Sequence, residues 1–174
     1  MSRAGVLHPS GGGLSSNGGS RARGVCGVWR EDKQVALDEL IVACREAADR
    51  YRYDAQLLGE SAIAELFLRL AEERQGWAER LERRLRELGD MPSVPDPEWE
   101  VLQNWKERLR AGLGGSAPEA LLAAREEGEK ALAQALSQAL QQDLAPAARE
   151  DLQRMQGLLA QGRQQLADAH ASRA

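Results

Sequence analysis

Three glutamates, Glu73, Glu126 and Glu129, are the residues whose type and spacing suit chemistry. Glu73 follows Leu70 by three residues and precedes Trp77 by four; Glu129 precedes Leu132 by three and Leu136 by seven. In a helix these spacings place a side chain on the apolar face. Glu126 borders the same face one turn earlier. A carboxylate there is costly unless an opposite charge or a metal compensates it. One reading is a dinuclear iron centre, where hard oxygen ligands hold two cations and imidazoles leave positions open for oxygen. A helix bundle builds such a centre from a Glu on each of two helices and Glu-x-x-His on each of the others. The other reading is an ion pair of Glu73 or Glu129 with Arg74, Arg125 or Lys130, which sets helix register more than it adds stability.

The iron ligand set is incomplete. Three residues after Glu73 stands Gly76, and three after Glu72 stands Gln75; neither supplies a nitrogen ligand. The first helix offers Ala48 where an acid is wanted, with Asp49 only flanking it. The two histidines, His8 and His170, lie near the two ends of the chain. Cys26 and Cys44 have no CxxC or Cys/His neighbour, so zinc is unsupported. No nucleophile–base pair, phosphate-cradling glycine loop or basic–aromatic strip is present. The residues alone therefore predict no cofactor, with iron or another divalent metal as the alternative. Vestigial metal positions are expected at Glu73, Glu129 and Glu126.

The elements that must carry these side chains are helices. Of 174 residues only 4% are aromatic, 6 are proline, and Ala, Leu, Glu, Gln and Arg dominate. Those are helix formers, and the strand formers are nearly missing. The first helix, from about Lys33 to Leu58, has its stripe at Leu37, Leu40, Ile41, Cys44, Ala48, Tyr51, Ala55 and Leu58. Gly59 stops it and Ser61 caps the second, about 61–88, whose stripe holds Ile63, Leu66, Phe67, Leu70, Trp77, Leu81, Leu85 and Leu88. A proline-rich linker at 90–97 leads to a short helix at about 98–112 with Trp99, Leu102, Trp105 and Leu109. Ser116 to Glu119 reads as a capping box for the third long helix, about 117–142, with Leu122, Leu132, Leu136 and Leu140 inward. Pro146 opens the fourth, with Ala148, Leu152, Met155, Leu159, Gly162, Leu166 and Ala169 inward. Gly76, Gly128, Gly157 and Gly162 interrupt good helices and are expected to admit Trp77 or a neighbouring backbone. The predicted fold is all-α: a four-helix bundle over 33–171, two hairpins joined by a crossing segment with a short extra helix.

Residues 1–32 read as a disordered Gly/Ser/Arg-rich tail, because such a segment cannot bury enough apolar surface to offset its ordering entropy. It lacks the apolar core of a secretory signal, and its composition is at most that of a weak transit peptide. The net charge of −4 excludes nucleic acid as the main partner. No run reaches the roughly 20 apolar residues of a membrane span. Two unpaired cysteines fit a cytoplasmic location.

Four blocks together resemble a known bacterial family: Leu40-Ile-Val-Ala-Cys44-Arg45, Leu70-Ala-Glu-Glu73-Arg74-Gln-Gly-Trp77-Ala-Glu79-Arg-Leu81, Trp105, and Glu126-Glu-Gly128-Glu129. The family is one of ferritin-like four-helix bundles of unknown function, rubrerythrin-like in topology, and the likeness spans about residues 35–167. The resemblance implies a ferritin-like fold with Glu73 and Glu129 at metal-ligand positions. The sequence departs from that pattern at Ala48, at Gly76 and along the inward face of the fourth helix. The expectation is thus a non-enzymatic, stress-associated or binding module with a degenerate metal site. A weak metal-binding or di-iron oxidase-type protein is the alternative, and a helix-binding adaptor the third reading. A homodimer and an unidentified protein partner remain open at this stage.

Overall fold

The computed structural model describes residues 30–93 and 117–173, and these hold four helices and no strand. They are α1 (Asp32–Leu58), α2 (Ala62–Glu87), α3 (Ala117–Leu140) and α4 (Pro146–Ala171). The expected short helix at 98–112, with Trp99 and Trp105, lies outside the described residues, as do residues 1–29 and Ser116 of the capping box.

Local chemistry sets each end. The Glu31 N–H donates to Gln34 Oε1 at 2.7 Å, occupying an amide that α1 leaves free. Gly59 ends the helix at φ +61°, a left-handed conformation that glycine adopts without strain. Ser61 Oγ then accepts from the Ala64 N–H at 3.2 Å and caps α2, as its place before the apolar stripe predicts. Arg84 and Arg86 sit in the last turn of α2, favourable against its carbonyl end, and Gly89 leaves it at φ +77°. Pro146 starts α4, where a missing N–H costs nothing.

Arg30 donates to Asp90 at 2.6 Å and to Asp38 at 2.7 Å, tying the approach to α1 against the exit from α2. Burial alone would raise the Asp38 carboxyl, but bonds from Ser93 and Arg30 outweigh it and hold the group below its usual range.

Cross-links give the helix directions. Gln34–Leu88 together with Arg45–Glu82 sets α1 antiparallel to α2, and Tyr51–Glu129 together with Asp54–Arg125 sets it antiparallel to α3. Arg84–Asp151 with the approach of Arg74 to Gly162 does the same for α2 and α4, and His170–Glu126 with Arg173–Glu119 for α3 and α4. Hence α2 and α3 run the same way, and α3 begins at the opposite end of the bundle from where α2 stops. At 1.5 Å per residue the 26 residues of α2 put those ends about 39 Å apart.

Most residues of the predicted stripes are buried, Leu58, Leu88, Leu140 and Ala169 only partly, and the buried ones form two apolar clusters. One contains Leu37, Ile41, Cys44, Trp77, Leu81, Leu136, Leu152 and Met155. The other contains Tyr51, Phe67, Leu70, Leu121, Leu122 and Leu166 around the α1–α2 turn. Between them, at mid-bundle, lie Ala48, Arg74, Glu129 and Gly162, so a charged layer divides the core. No described helix is long and apolar enough to cross a membrane.

Three of the four helical glycines have nothing within 4 Å of where a Cβ would stand; only Gly162 abuts its neighbours. The expected close approach therefore fails at Gly76, Gly128 and Gly157. Substituting Ala at any of these three should raise stability by up to about 1 kcal/mol, the helix-propensity gain. Gly162→Ala should instead lower it, by about 1–3 kcal/mol, through overpacking against Arg74 and Leu70. Thermal unfolding of the four single variants checks both signs.

Candidate functional site

The mid-bundle layer is where the acidic candidates were expected, and Glu129 is there, 1% exposed. Glu73 is not. The seven-residue step from Leu70 to Trp77 admits an inward side chain at +3 or +4, and the helix turns the second inward. Arg74 is fully buried while the Glu73 side chain is 32% exposed. The inward acid predicted on α2 is therefore an inward base.

Glu129 and Arg74 meet side-on. Arg74 Nε donates to Glu129 Oε1 at 3.2 Å, and Nη2 donates to Oε2 at 2.7 Å. The Tyr51 hydroxyl donates to Glu129 Oε1 at 2.8 Å. Arg74 Nη1 turns the other way and bonds Glu73, so the two glutamates share one guanidinium. The guanidinium carbon stands 4.1 Å from the centroid of the Trp77 ring, a cation–π contact one turn along α2. Burial pulls the Arg74 cation down, yet the Glu129 bond and charge more than offset this, leaving it raised. The Tyr51 phenol is pushed far up by burial and by Glu129, so it stays a donor. Burial likewise pushes the Cys44 thiol up to about 12 and keeps it protonated.

A second buried pair flanks the first. Asp54 and Arg125 approach to 3.0 Å and are 1% and 5% exposed, but the alignment makes no hydrogen bond. Both Asp54 oxygens and Arg125 Nε lack a hydrogen-bond partner, as does Trp77 Nε1. Burial pulls Arg125 down, against the pull of Asp54. Burial raises the Asp54 carboxyl to about 6, against the pull of Arg125 and Arg50. A folded value above the unfolded one means the charged form weakens the fold, and protonation relieves that as pH falls from about 6 toward 4. Relative to Asp54→Asn, the native chain should gain about 1 kcal/mol between pH 7.5 and pH 5. Urea unfolding at the two pH values measures it; equal pH responses of the two chains would contradict the Asp54 assignment.

Asp54 was absent from the sequence candidates, and Arg125 stood there only as an ion-pair partner for Glu73 or Glu129, though a signal for their pairing existed. Asp54 follows the stripe residue Tyr51 by three, and Arg125 follows Leu122 by three and precedes Glu129 by four. Glu126 is a different matter. It leaves the layer and meets His170 Nδ1 at 3.0 Å across α3 and α4, both side chains about one-third exposed. The three glutamates proposed as metal positions thus occupy three environments: a buried pair, a half-exposed flank and a partly exposed His pair.

Among the described residues no three His, Cys, Asp or Glu side chains are placed to hold a metal ion together. The donor set also has the wrong sign, because the buried carboxylate of Glu129 already faces a fixed guanidinium. The chemistry the layer supports is charge compensation and helix register. Comparison with models of known protein families finds no match, and comparison with curated proteins finds none either.

Proposed function

We propose that this chain is a ferritin-like four-helix bundle that acts as a non-enzymatic binding module in the cytoplasm, its metal site degenerate. The carrying observation is the fully buried Arg74 guanidinium bonded to Glu129 at mid-bundle. A cation held there by covalent attachment repels a second cation and ties up the carboxylate that a metal would need. The ferritin-like part rests on topology: two hairpins whose inner helices, α2 and α3, run the same way need one long connection between them. Binding is favoured over catalysis because the buried Glu129 and Tyr51 groups are already bonded to one another and Glu129 to Arg74.

Metal analysis tests this. The full chain, loaded anaerobically with Fe²⁺ and dialysed, should retain well below one iron per chain, and ferroxidase activity on exposure to oxygen should sit near background. Two irons per chain, lost in Glu129→Gln, would overturn the reading in favour of a di-iron oxidase.

A further inference from the structure

We infer that the middle of the bundle is a binding site for a guanidinium-class cation, which the chain fills with its own Arg74 side chain. Four features define the site. Glu129 takes two of the three guanidinium nitrogens, at 3.2 and 2.7 Å, and Glu73 takes the third. The Tyr51 hydroxyl donates to Glu129 Oε1 and so fixes the carboxylate that the cation meets. The indole of Trp77 lies 4.1 Å from the guanidinium carbon. Gly162 on α4 supplies room: a Cβ there would stand 2.9 Å from Arg74 Nη2 and 3.0 Å from Leu70 Cδ2.

These features select by shape as well as charge. Carboxylates at the edge and an aromatic ring beneath suit a planar, delocalised cation with a fork of donors. A compact ammonium makes neither the paired bonds nor the stacked contact equally well. A divalent metal gains oxygen ligands from Glu129 and Glu73 alone, short of the six or more that hard cations take. The bare backbone at Gly162 makes room for Arg74 Nη2 and Leu70 Cδ2, whereas the other helical glycines described have open space where a Cβ would go. The neighbouring Asp54–Arg125 pair is balanced in charge, so the net negative charge that holds the Arg74 cation comes from Glu129 and Glu73.

The inference rests on the metal-free reading above but is tested apart from it. Arg74→Ala, in the full chain, removes the cation and keeps the carboxylates, Tyr51, Trp77 and Gly162. Thermal unfolding is followed with millimolar methylguanidinium chloride, with methylammonium chloride at equal ionic strength, and with neither. The variant should melt well below the native chain. Methylguanidinium should recover several degrees in a saturable way, methylammonium should not, and the native chain should respond to neither. Absence of a difference between the two salts on a folded variant overturns the inference and leaves the iron result untouched. If the variant does not fold, NMR on the native chain decides. The Arg74 guanidinium, assigned by its contacts to the Trp77 ring protons, should show separately resolved, slowly exchanging Nη protons. A single averaged signal would equally overturn it.

Discussion

Glu129→Leu will lower the stability of this bundle by about 3–5 kcal/mol, the range for removing one partner of a buried ion pair. The substitution leaves the Arg74 guanidinium, fully buried on α2, without its two bonds to Glu129. It also strands the Tyr51 hydroxyl, whose acceptor is Glu129 Oε1. An unsatisfied buried hydroxyl alone costs about 1–3 kcal/mol. The flank behaves differently: Glu73→Gln, at a half-exposed position, should stay within about 1 kcal/mol of the native chain. Adding Arg74→Met and Tyr51→Phe to Glu129→Leu should then recover most of the loss, because well-packed apolar groups often replace a buried pair at no net cost. Urea unfolding of the single and triple variants measures both terms. A triple variant as unstable as the single one would show that the layer contributes net stability rather than register.

Register is the more useful property here. The layer sits where two apolar clusters meet, and Ala- and Leu-rich helices can slide past one another with little loss of apolar contact. A guanidinium that must meet one carboxylate on another helix removes that freedom, as does a hydroxyl on α1 that must meet the same oxygen. Three helices are pinned by one carboxylate, and α4 is matched to them through the gap at Gly162.

How far the sequence discloses this depends on the kind of pattern. Stripes of Leu, Ile, Ala and Trp at gaps of three and four mark the buried faces of all four helices, because burial of apolar area follows periodicity directly. Glu129 is legible for the same reason, being locked between Leu122, Leu132 and Leu136. The α2 position is not, since the gap from Leu70 to Trp77 is compatible with Glu73 or Arg74 inward. Partner chemistry decides it: an Arg facing Glu129 is compensated, whereas a second Glu would add repulsion to desolvation. Asp54, and its pairing with Arg125, escape for another reason. Each reads as a surface charge by type, and only their joint presence across α1 and α3, invisible without the helix pairing, makes their burial tolerable.

Leu136→Ala and Leu70→Ala should each cost about 2–5 kcal/mol, against well under 1 kcal/mol for Arg83→Ala on the exposed face of α2. Leu136 is 2% exposed within the cluster that includes Ile41, Cys44, Leu152 and Met155, drawn from α1 and α4. Truncation there opens a void lined by apolar groups that helices of this length cannot close. Leu70 is 3% exposed in the other cluster, and its Cδ2 crowds the space above Gly162. Its loss opens a void directly beside the Arg74 guanidinium, where polar neighbours let water enter. Water there would compete with Glu129 and Glu73 for the guanidinium donors. Leu70→Ala and Glu129→Leu should therefore be non-additive, because the first loosens the contact the second removes, whereas Leu136→Ala and Glu129→Leu should come closer to simple addition. Urea unfolding of the three singles and two doubles measures this. Equal coupling in both pairs would mean that the charged layer does not end where Leu70 and Gly162 place it.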